Sequence, residues 1–221
     1  MAISKLNFNS LNVTPSANLA IGFDSGADDL ETSSGGGAIK FIKKLTASSS
    51  STLSFVDGSA SVVLDSTYKK YMFIFNNIHP ASADANLQVN FSIDAGSNYN
   101  VTKTTSFFRT QHGESGSGGE LGYEASLDLA QATAVKKISQ TSGADNDQGI
   151  SGILHLFNPS STTFVKHFIS QTNVSYAYSE PYAYSSYTAG YANTTSAVDA
   201  VQFSINSGNM DTGTITLYGI N

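Results

Sequence analysis

The histidines are the first side chains in this sequence that could ligate a metal or transfer a proton. There are four of them: His79, His112, His155 and His167. His79 precedes Pro80 in a stretch that resembles a turn, whereas His155 and His167 lie inside apolar runs and could face each other across a sheet. Two imidazoles alone make a poor metal site, and no carboxylate stands near them at ligand spacing. We therefore interpret the histidines as structural.

Nucleophilic catalysis has no convincing candidate either. The chain has no cysteine, which excludes a cysteine nucleophile, disulfides, thiolate zinc sites and iron–sulfur clusters. A catalytic serine of the hydrolase type needs a Gly-x-Ser-x-Gly elbow between a strand and a helix, and no such elbow occurs. The nearest match, GSGG at residues 116–119, belongs to a glycine-rich stretch that we interpret as an ordinary loop.

Acidic residues could hydrolyse glycans as pairs or bind calcium in clusters. Most of them occur in turn contexts, where Asp caps backbone N–H groups, and the chain has no tryptophan to form a sugar platform. The clusters at residues 145–148 (DNDQ) and 24–29 (DSGADD) do not fit the spacing of an EF-hand, so we interpret them as solvated turns. No catalytic residue, metal or cofactor is expected.

Composition restricts the partners of this protein. Of 221 residues, 11 are basic and 17 acidic, and the net charge is −6. With one arginine, Arg109, and scattered lysine pairs, the chain lacks the basic cluster that grips nucleic-acid phosphates. No apolar run approaches the ~18 residues of a membrane span, and the first residues lack a signal-peptide core. A polar, weakly charged surface without these signals is typical of a protein that leaves its cell inside a virus particle.

Tyrosines form the most distinctive local feature. Six of them fall within sixteen residues: Tyr176, Tyr178, Tyr182, Tyr184, Tyr187 and Tyr191. They alternate with Ser, Ala, Thr and Gly, a combination that gives rigid rings and adaptable hydrogen bonds for recognition. The alternative is a long hairpin or a subunit contact in which the rings pack and the hydroxyls stay wet. The sequence therefore predicts either a receptor contact or a subunit contact in this segment.

The elements that would carry these residues are β-strands from residue 38 onward. Apolar residues alternate with polar ones over residues 87–94, 201–206 and 214–219, which is the period of a half-buried strand. The runs at 71–75, 153–157 and 164–169 are apolar on both faces, which predicts central strands covered on both sides. Residues 40–46 and 53–56 are further strands, and 127–138 fits a short helix or a strand equally well.

Turn signals separate these strands. They occur at 57–58 (DG), 79–80 (HP), 158–161 (NPSS) and 211–213 (DTG). About eight to ten strands without helical crossovers predict an all-β, jelly-roll-like antiparallel sandwich. Within it, the C-terminal strand that ends in Tyr218, Gly219 and Ile220 is expected to lie inside the sheet.

Residues 1–37 differ from the rest and end in a glycine-rich hinge, GGG at 35–37. They predict an extended N-terminal attachment arm in front of a domain at residues 38–221. The apolar residues of the arm would dock on another protein: Leu6, Phe8, Leu11, Leu19, Ile21 and Phe23. The alternative is a ragged terminus without a role.

Five segments together carry a family resemblance. They are residues 40–49 (KFIKKLTASS), 75–81 (FNNIHPA), 89–100 (VNFSIDAGSNYN), 152–161 (GILHLFNPSS) and 213–220 (GTITLYGI). Their order resembles small structural proteins of tailed bacteriophages, tail-fibre-like or head-decoration-like, especially those of marine phages and cyanophages. The resemblance implies a β-sandwich on the virion surface, usually in homotrimers, with no catalytic motif to carry over.

These observations together predict a non-enzymatic virion surface protein of a tailed phage. The first hypothesis is a tail fibre or tail-associated protein that contacts a host surface glycan or protein. The alternative is a capsid decoration protein or head fibre held by the arm, with the tail as the favoured location. A glycan-degrading tail enzyme is the third class. Other virion proteins are the expected partners of the arm, and neither nucleic acid nor membrane insertion is expected.

Overall fold

The computed structural model describes residues 20–23, 30–33, 38–177 and 181–221. The chain divides into two units, Met1–Ala38 and Ile39–Asn221. In the first unit, β1 (Ala20–Phe23) and β2 (Leu30–Ser33) pair as an antiparallel hairpin in which Ala20 lies opposite Ser33. The remainder of the predicted arm lies outside the described residues.

Two antiparallel sheets make up the second unit. The smaller has four strands in the order β10–β6–β14–β4. Its strands are β4 (Thr52–Val56), β6 (Leu87–Ser92), β10 (Lys136–Lys137) and β14 (Ala200–Ile205). The chain returns to this sheet from far along the sequence, since Val201 of β14 lies opposite both Phe55 and Phe91. We call it the small sheet.

The large sheet runs in the order β3–β15–β5–β11–β12–β13–β7–β8, and β9 pairs with β7 beside that path. Its strands are β3 (Ile39–Thr46), β5 (Lys70–Pro80), β7 (Lys103–Gly113), β8 (Glu120–Tyr123), β9 (Leu129–Ala132), β11 (Ile150–Phe157), β12 (Lys166–Ala177), β13 (Pro181–Ala192) and β15 (Met210–Ile220). We call its two faces the inner face, which meets the small sheet, and the outer face.

The core lies between the two sheets. Phe203 of the small sheet is fully buried, and its ring meets Phe73 and Phe75 of β5 edge-on at centroid distances of 5.2 and 5.1 Å. Phe91 packs on Phe168 of β12 in the same way, at 5.2 Å. Interdigitated aromatic rings of this kind bury large areas and fix the distance between the sheets. The prediction of an all-β, jelly-roll-like antiparallel sandwich is confirmed.

The alternating segments also form the expected strands. Leu87, Val89 and Phe91 are buried, but β6 ends at Ser92, and Ile93 beyond it is 42% exposed. The predicted position of the C-terminal strand is confirmed, since β15 lies between β3 and β5. The stretch 127–138 resolves into a single 3-10 turn at Ala125–Leu127 followed by the short strands β9 and β10.

Two predicted turns are strand segments. His79 and Pro80 end β5, and Asp211 to Gly213 belong to β15. The reason is a pair of facing bulges: the register of β15 with β5 shifts on both sides of Thr212, and Gly213 has φ +110. Gly and Asp, which usually mark turns, here mark a bulge.

The dense apolar strands are central, and the small sheet covers one of their faces. Tyr71, Phe73 and Phe75 of β5 point into the core, whereas Met72 and Ile74 between them are half-buried on the outer face. Within the described part of Ile39–Asn221, no layer lies over this face. Cover of both faces therefore stays a prediction.

Candidate functional site

The bulges at one end of the large sheet create a concave polar site. Three neighbouring strands change register at the same level: β15 around Thr212, β5 around Asn77, and β11 between Ile150 and Gly152. Asn77 itself has φ +50. Bulges bend strands and re-aim side chains, and they are frequent beside functional sites. In this protein they turn a flat sheet end into a hollow, which we call the end groove.

The end groove has a volume of about 430 Å³. Its lining is almost wholly composed of hydrogen-bonding side chains: Asn77, His79, Asn146, Asp147, Gln148, Ser151, Asn173, Ser175 and Thr212, with Gly149. Sequence reasoning had singled out residues 145–148 and His79 from this set. The remaining residues come from four strands, β5, β11, β12 and β15, so no local motif could have revealed them.

Hydrogen bonds between the strands hold the groove in shape. Ser151 Oγ accepts from the backbone N–H of Asn77 at 3.0 Å and donates to its Oδ1 at 3.3 Å. On the opposite wall, Ser175 Oγ accepts from Gly149 N–H at 3.2 Å. These hydrogen bonds between strands involve the small hydroxyl groups. The amide and carboxylate side chains of residues 146–148 also line the groove.

Gln148 holds one end of the groove lining through its amide. Its Nε2 donates to Asp145 Oδ2 at 3.4 Å, whereas its Oε1 packs against Gly143, is buried and has no hydrogen-bond partner within the described residues. A buried acceptor without a partner costs about 1–3 kcal/mol. Because this oxygen has almost no accessible surface, it is not offered to a ligand in the groove.

A second hollow of about 210 Å³ adjoins the end groove and shares Asp147, Gln148 and Ser175 with it. Its other walls are aromatic and acidic: Tyr176, Tyr182, Pro181 and Glu114. The two hollows therefore join a polar floor to tyrosine rings.

The structure divides the tyrosine segment between the two faces of the sheet. Tyr176, Tyr182 and Tyr184 lie on the inner side, where Tyr182 and Tyr184 have their ring centroids 5.8 Å apart. Tyr187 and Tyr191 lie on the outer face. The cause is the strand period of two, since residues at even and odd positions of β13 point to opposite sides.

The inner tyrosines are held by polar partners. The Arg109 guanidinium lies 5.5 Å from the ring centroid of Tyr184, and its Nε donates to Glu124 Oε1 at 2.5 Å. Burial by itself lowers the pKa of Arg109. The hydrogen bond to Glu124 and the negative charges of Glu124 and Glu120 outweigh burial, so the pKa of Arg109 is raised. Tyr176 donates to Asp84 Oδ1 at 2.7 Å. The rings of this group are therefore oriented before any ligand arrives.

Other predicted site residues do not enter the groove. Leu6, Phe8, Leu11, Leu19 and Tyr178 lie outside the described residues. Ile21 and Phe23 lie in β1, of which the backbone pairing is described. The receptor role of the tyrosines and the docking role of the arm therefore stay predictions.

His155 and His167 lie on the outer face of adjacent strands but not opposite each other. Ile169 is the residue opposite His155, and Tyr191 is opposite His167. Burial, together with the charge of Lys70, lowers the pKa of His155. No group of three or more His, Asp or Glu residues within the described ranges is placed to hold a metal ion.

The glycine-rich loop and the lack of a membrane-spanning helix are two further features of the described residues. Residues 116–119 lie in the loop between β7 and β8, where Ser117 Oγ is 2.8 Å from Ser115 Oγ. No helix in the described ranges has the length and apolar character to span a membrane.

Known proteins provide no template for this chain. No protein-family model, curated protein or solved structure matches it. The candidate functional features of the described residues are the end groove, the tyrosines beside it and the outer face.

Proposed function

We propose that this protein is a non-enzymatic surface component of a tailed-phage virion, a tail fibre or tail-associated protein that contacts a host surface glycan. The end groove is the observation that supports this proposal best. Glycans present many neutral hydroxyls, each a donor and an acceptor, and a groove of amides, hydroxyls and one carboxylate matches that chemistry. The location in a virion is supported by the sequence resemblance.

The chemistry of the lining favours a neutral, polyhydroxylated ligand over an anion or an apolar molecule. Asp147 gives the groove acceptor character. Asn146, Ser151 and Asn173 offer both donors and acceptors. An apolar ligand would leave all of these groups without hydrogen bonds.

The adjoining tyrosines supply the second requirement of sugar recognition. Tyr176 and Tyr182 border the hollow that shares Gln148 with the end groove. A ring of this kind offers an apolar face for the C–H side of a sugar and a hydroxyl at its rim. A ligand of two or more sugar units would span both hollows.

One segment of the family resemblance also supplies a wall of the groove. Residues 75–81 include Asn77 and His79, whereas the other four segments contain none of the lining residues. The resemblance to phage structural proteins therefore includes one strand that builds this site.

A binding experiment tests the ligand. Purified protein would be applied to immobilised surface polysaccharide from the bacterium that the phage infects, and to the same material after periodate oxidation. Asp147→Ala combined with Gln148→Ala should lower retention at least tenfold. The exposed residues Asp65 and Asn100, in loops that do not line the groove, provide the matched control pair Asp65→Ala with Asn100→Ala. Equal retention of both double variants, or of both polysaccharides, would refute the glycan site.

Immunogold electron microscopy of virions, with antibody against residues 38–221, tests the location. Gold at the tail is the expected result. Gold over the head would assign the alternative, a capsid decoration protein or head fibre. If the virions carry no gold and the protein is found only in the lysate of infected cells, the virion assignment is overturned. Release of reducing sugar from the polysaccharide would contradict a non-enzymatic role, and we expect none.

A further inference from the structure

We infer that the outer face of the large sheet is an interface that binds a second copy of this chain. This inference does not depend on the glycan proposal, because other residues carry it. The face nevertheless adjoins the end groove, since Ser151 and Asn173 of the groove are the next outward-facing residues along β11 and β12 from Ile153 and Gln171. It starts from a row of side chains that cross seven strands on the outer face. In order, the row contains Phe41, Tyr218, Met72, His155, Ile169, Ala189 and Ser106.

Two flanking rows extend the same apolar character. One contains Ile74, Ile153, Gln171, Tyr187, Phe108 and Tyr123. The other contains Ile220, Lys70, Phe157, His167, Tyr191 and Thr104. Most of these side chains are large and apolar or aromatic.

Four of the large apolar side chains in these rows are exposed in the single chain, and the others are half-buried. Phe41 is 63% exposed, Ile169 51% and Tyr123 65%, and these three lie in different parts of the face. Isolated exposed apolar residues are ordinary, but a contiguous patch of this extent is typical of an interaction surface.

The size of the face matches that of a stable interface. The three rows hold nineteen positions, and at about 4.8 Å between strands and about 6.8 Å along them these cover roughly 600 Å². That is the lower end of what each partner buries in an interface of standard size, about 600–1,000 Å². Sheets pack well face to face at about 10 Å, with their side chains interdigitated.

Charge favours a second copy over an unlike partner. Two formally charged side chains lie in these rows within the described residues. Lys70 lies 5.9 Å from the ring centroid of Phe157. Lys44 continues the Ile74 row onto β3 through Thr216. The rest of the three rows carries no formal charge that would select a charged partner. The face is complementary in character to itself, which is the requirement of an isologous contact.

His155 lies at the centre of the seven-residue row. Its Nδ1 is buried within the single chain and has no hydrogen-bond partner among the described residues, so a second copy would contact the other side of the ring. The groups facing His155 are apolar on both sides, Met72 on β5 and Ile169 on β12, with Lys70 and His167 as its titratable neighbours on the same face.

The test compares two isoleucine-to-lysine variants of the full chain by analytical ultracentrifugation. Ile169→Lys places a charge in the middle of the outer face. Ile93→Lys places the same charge on a residue of similar exposure, 42%, just beyond β6 of the small sheet. We expect wild type and Ile93→Lys to self-associate, and Ile169→Lys to lose at least tenfold in association constant. Circular dichroism and thermal melts check that both variants fold, and Phe41→Lys at the edge strand is a second outer-face variant.

Single-cysteine cross-linking provides an independent readout, since the chain has no cysteine of its own. Ile169→Cys should form an intermolecular disulfide under mild oxidation, and Ile93→Cys should not. A dimer that dissociates on Ile169→Lys supports the inference, and a trimer that dissociates on the same change would overturn the two-fold contact. A wild type that stays monomeric at 100-fold dilution and at high concentration alike would overturn it, as would an oligomer that both outer-face variants leave intact.

Discussion

Phe108 and Tyr187 lie opposite each other on β7 and β13, with their rings stacked at a centroid distance of 4.8 Å and an angle of 8°. The pair lies on the outer face, and Phe108 is 41% exposed. Phe203, by contrast, is fully buried between the sheets. Aromatic contacts on the outer face and in the core therefore have different weights in the stability of the chain.

Phe203→Ala should be far more destabilising than Phe108→Ala. The first variant leaves a cavity among Phe55, Phe73 and Phe75, and such changes cost about 3–5 kcal/mol. The second removes a partly solvated ring and should cost about 1 kcal/mol. Urea unfolding at low protein concentration, where association does not contribute, measures both. Similar costs for the two variants would contradict the assignment of the core.

Removal of β15 should abolish cooperative folding of the unit Ile39–Asn221. Met210–Ile220 is paired on both sides, and its loss would separate β3 from β5 and expose Tyr71, Phe73 and Phe75. A thermal melt followed by circular dichroism would then show no transition. Deletion of Asn221 alone, an exposed residue beyond the strand, is the matched control and should leave the melt unchanged.

Gly213→Ala should destabilise the protein by about 2–4 kcal/mol. A Cβ at this bulge would lie 2.4 Å from the backbone oxygen of Asn77, at φ +110. Gly116→Ala separates the cost of the backbone conformation from the cost of the steric clash. Gly116 also has a positive φ, but a Cβ there meets nothing within 4 Å. Its cost should be near 1 kcal/mol from the backbone alone. Equal denaturation midpoints for the two variants would show that the bulge tolerates a side chain.

The unfolding free energy should rise between pH 8 and pH 10. Burial lowers the pKa of both Lys103 and Lys136 to about 8, from 10.5 in the unfolded chain. In this interval the unfolded state binds more protons than the folded state, so a rise in pH favours folding, by about 1–2 kcal/mol after solvent screening. Above pH 10 the trend should reverse, because burial raises the pKa of Tyr71 and keeps its hydroxyl protonated in the folded state.

Lys103→Met identifies the source of this pH dependence. Lys103 donates to Asn90 Oδ1 at 2.6 Å and to the Val101 carbonyl at 2.7 Å, and its side chain is fully buried. Denaturant titrations at pH 7, 8, 9 and 10 should show a reduced slope for this variant. Lys69→Met, at an exposed position, should retain the wild-type slope. A wild-type slope in both variants would mean that the Lys103 ammonium is solvated.

Sequence periodicity was sufficient for the strands whose two faces differ. Val201, Phe203 and Ile205 alternate with polar residues, and the structure places all three in the core. Periodicity gives faces but not neighbours, however. It could not show that Val201 lies opposite both Phe55 and Phe91, which are far away in sequence.

The groove and the outer face escaped the sequence for different reasons. Turn-forming residues are also bulge-forming residues, so Gly213 and His79 predicted turns where the sheet instead bends to form a wall. Apolar residues on both faces of a strand are equally suited to a third layer or to another molecule. Lys136 shows a third limit of prediction from sequence. It is adjacent to Lys137, and two consecutive lysines suggest a solvent-exposed position. Its side chain is nevertheless fully buried and donates to the Leu127 carbonyl at 2.6 Å.

The pairing of β15 with β3 and β5 determines when the large sheet can close during synthesis. Strand β3 is made early, but its hydrogen-bonded neighbour comprises residues 210–220. Until those residues have left the ribosome, the edge of β5 that β15 will occupy stays open, and the aromatic residues of its inner face are incompletely covered. Contacts this distant in sequence form slowly, and open strand edges associate with other chains in the meantime. Ile39–Asn221 should therefore acquire its native fold only once residues 210–220 have left the ribosome, and its yield in cells should depend on the chaperones that shield the nascent chain until then.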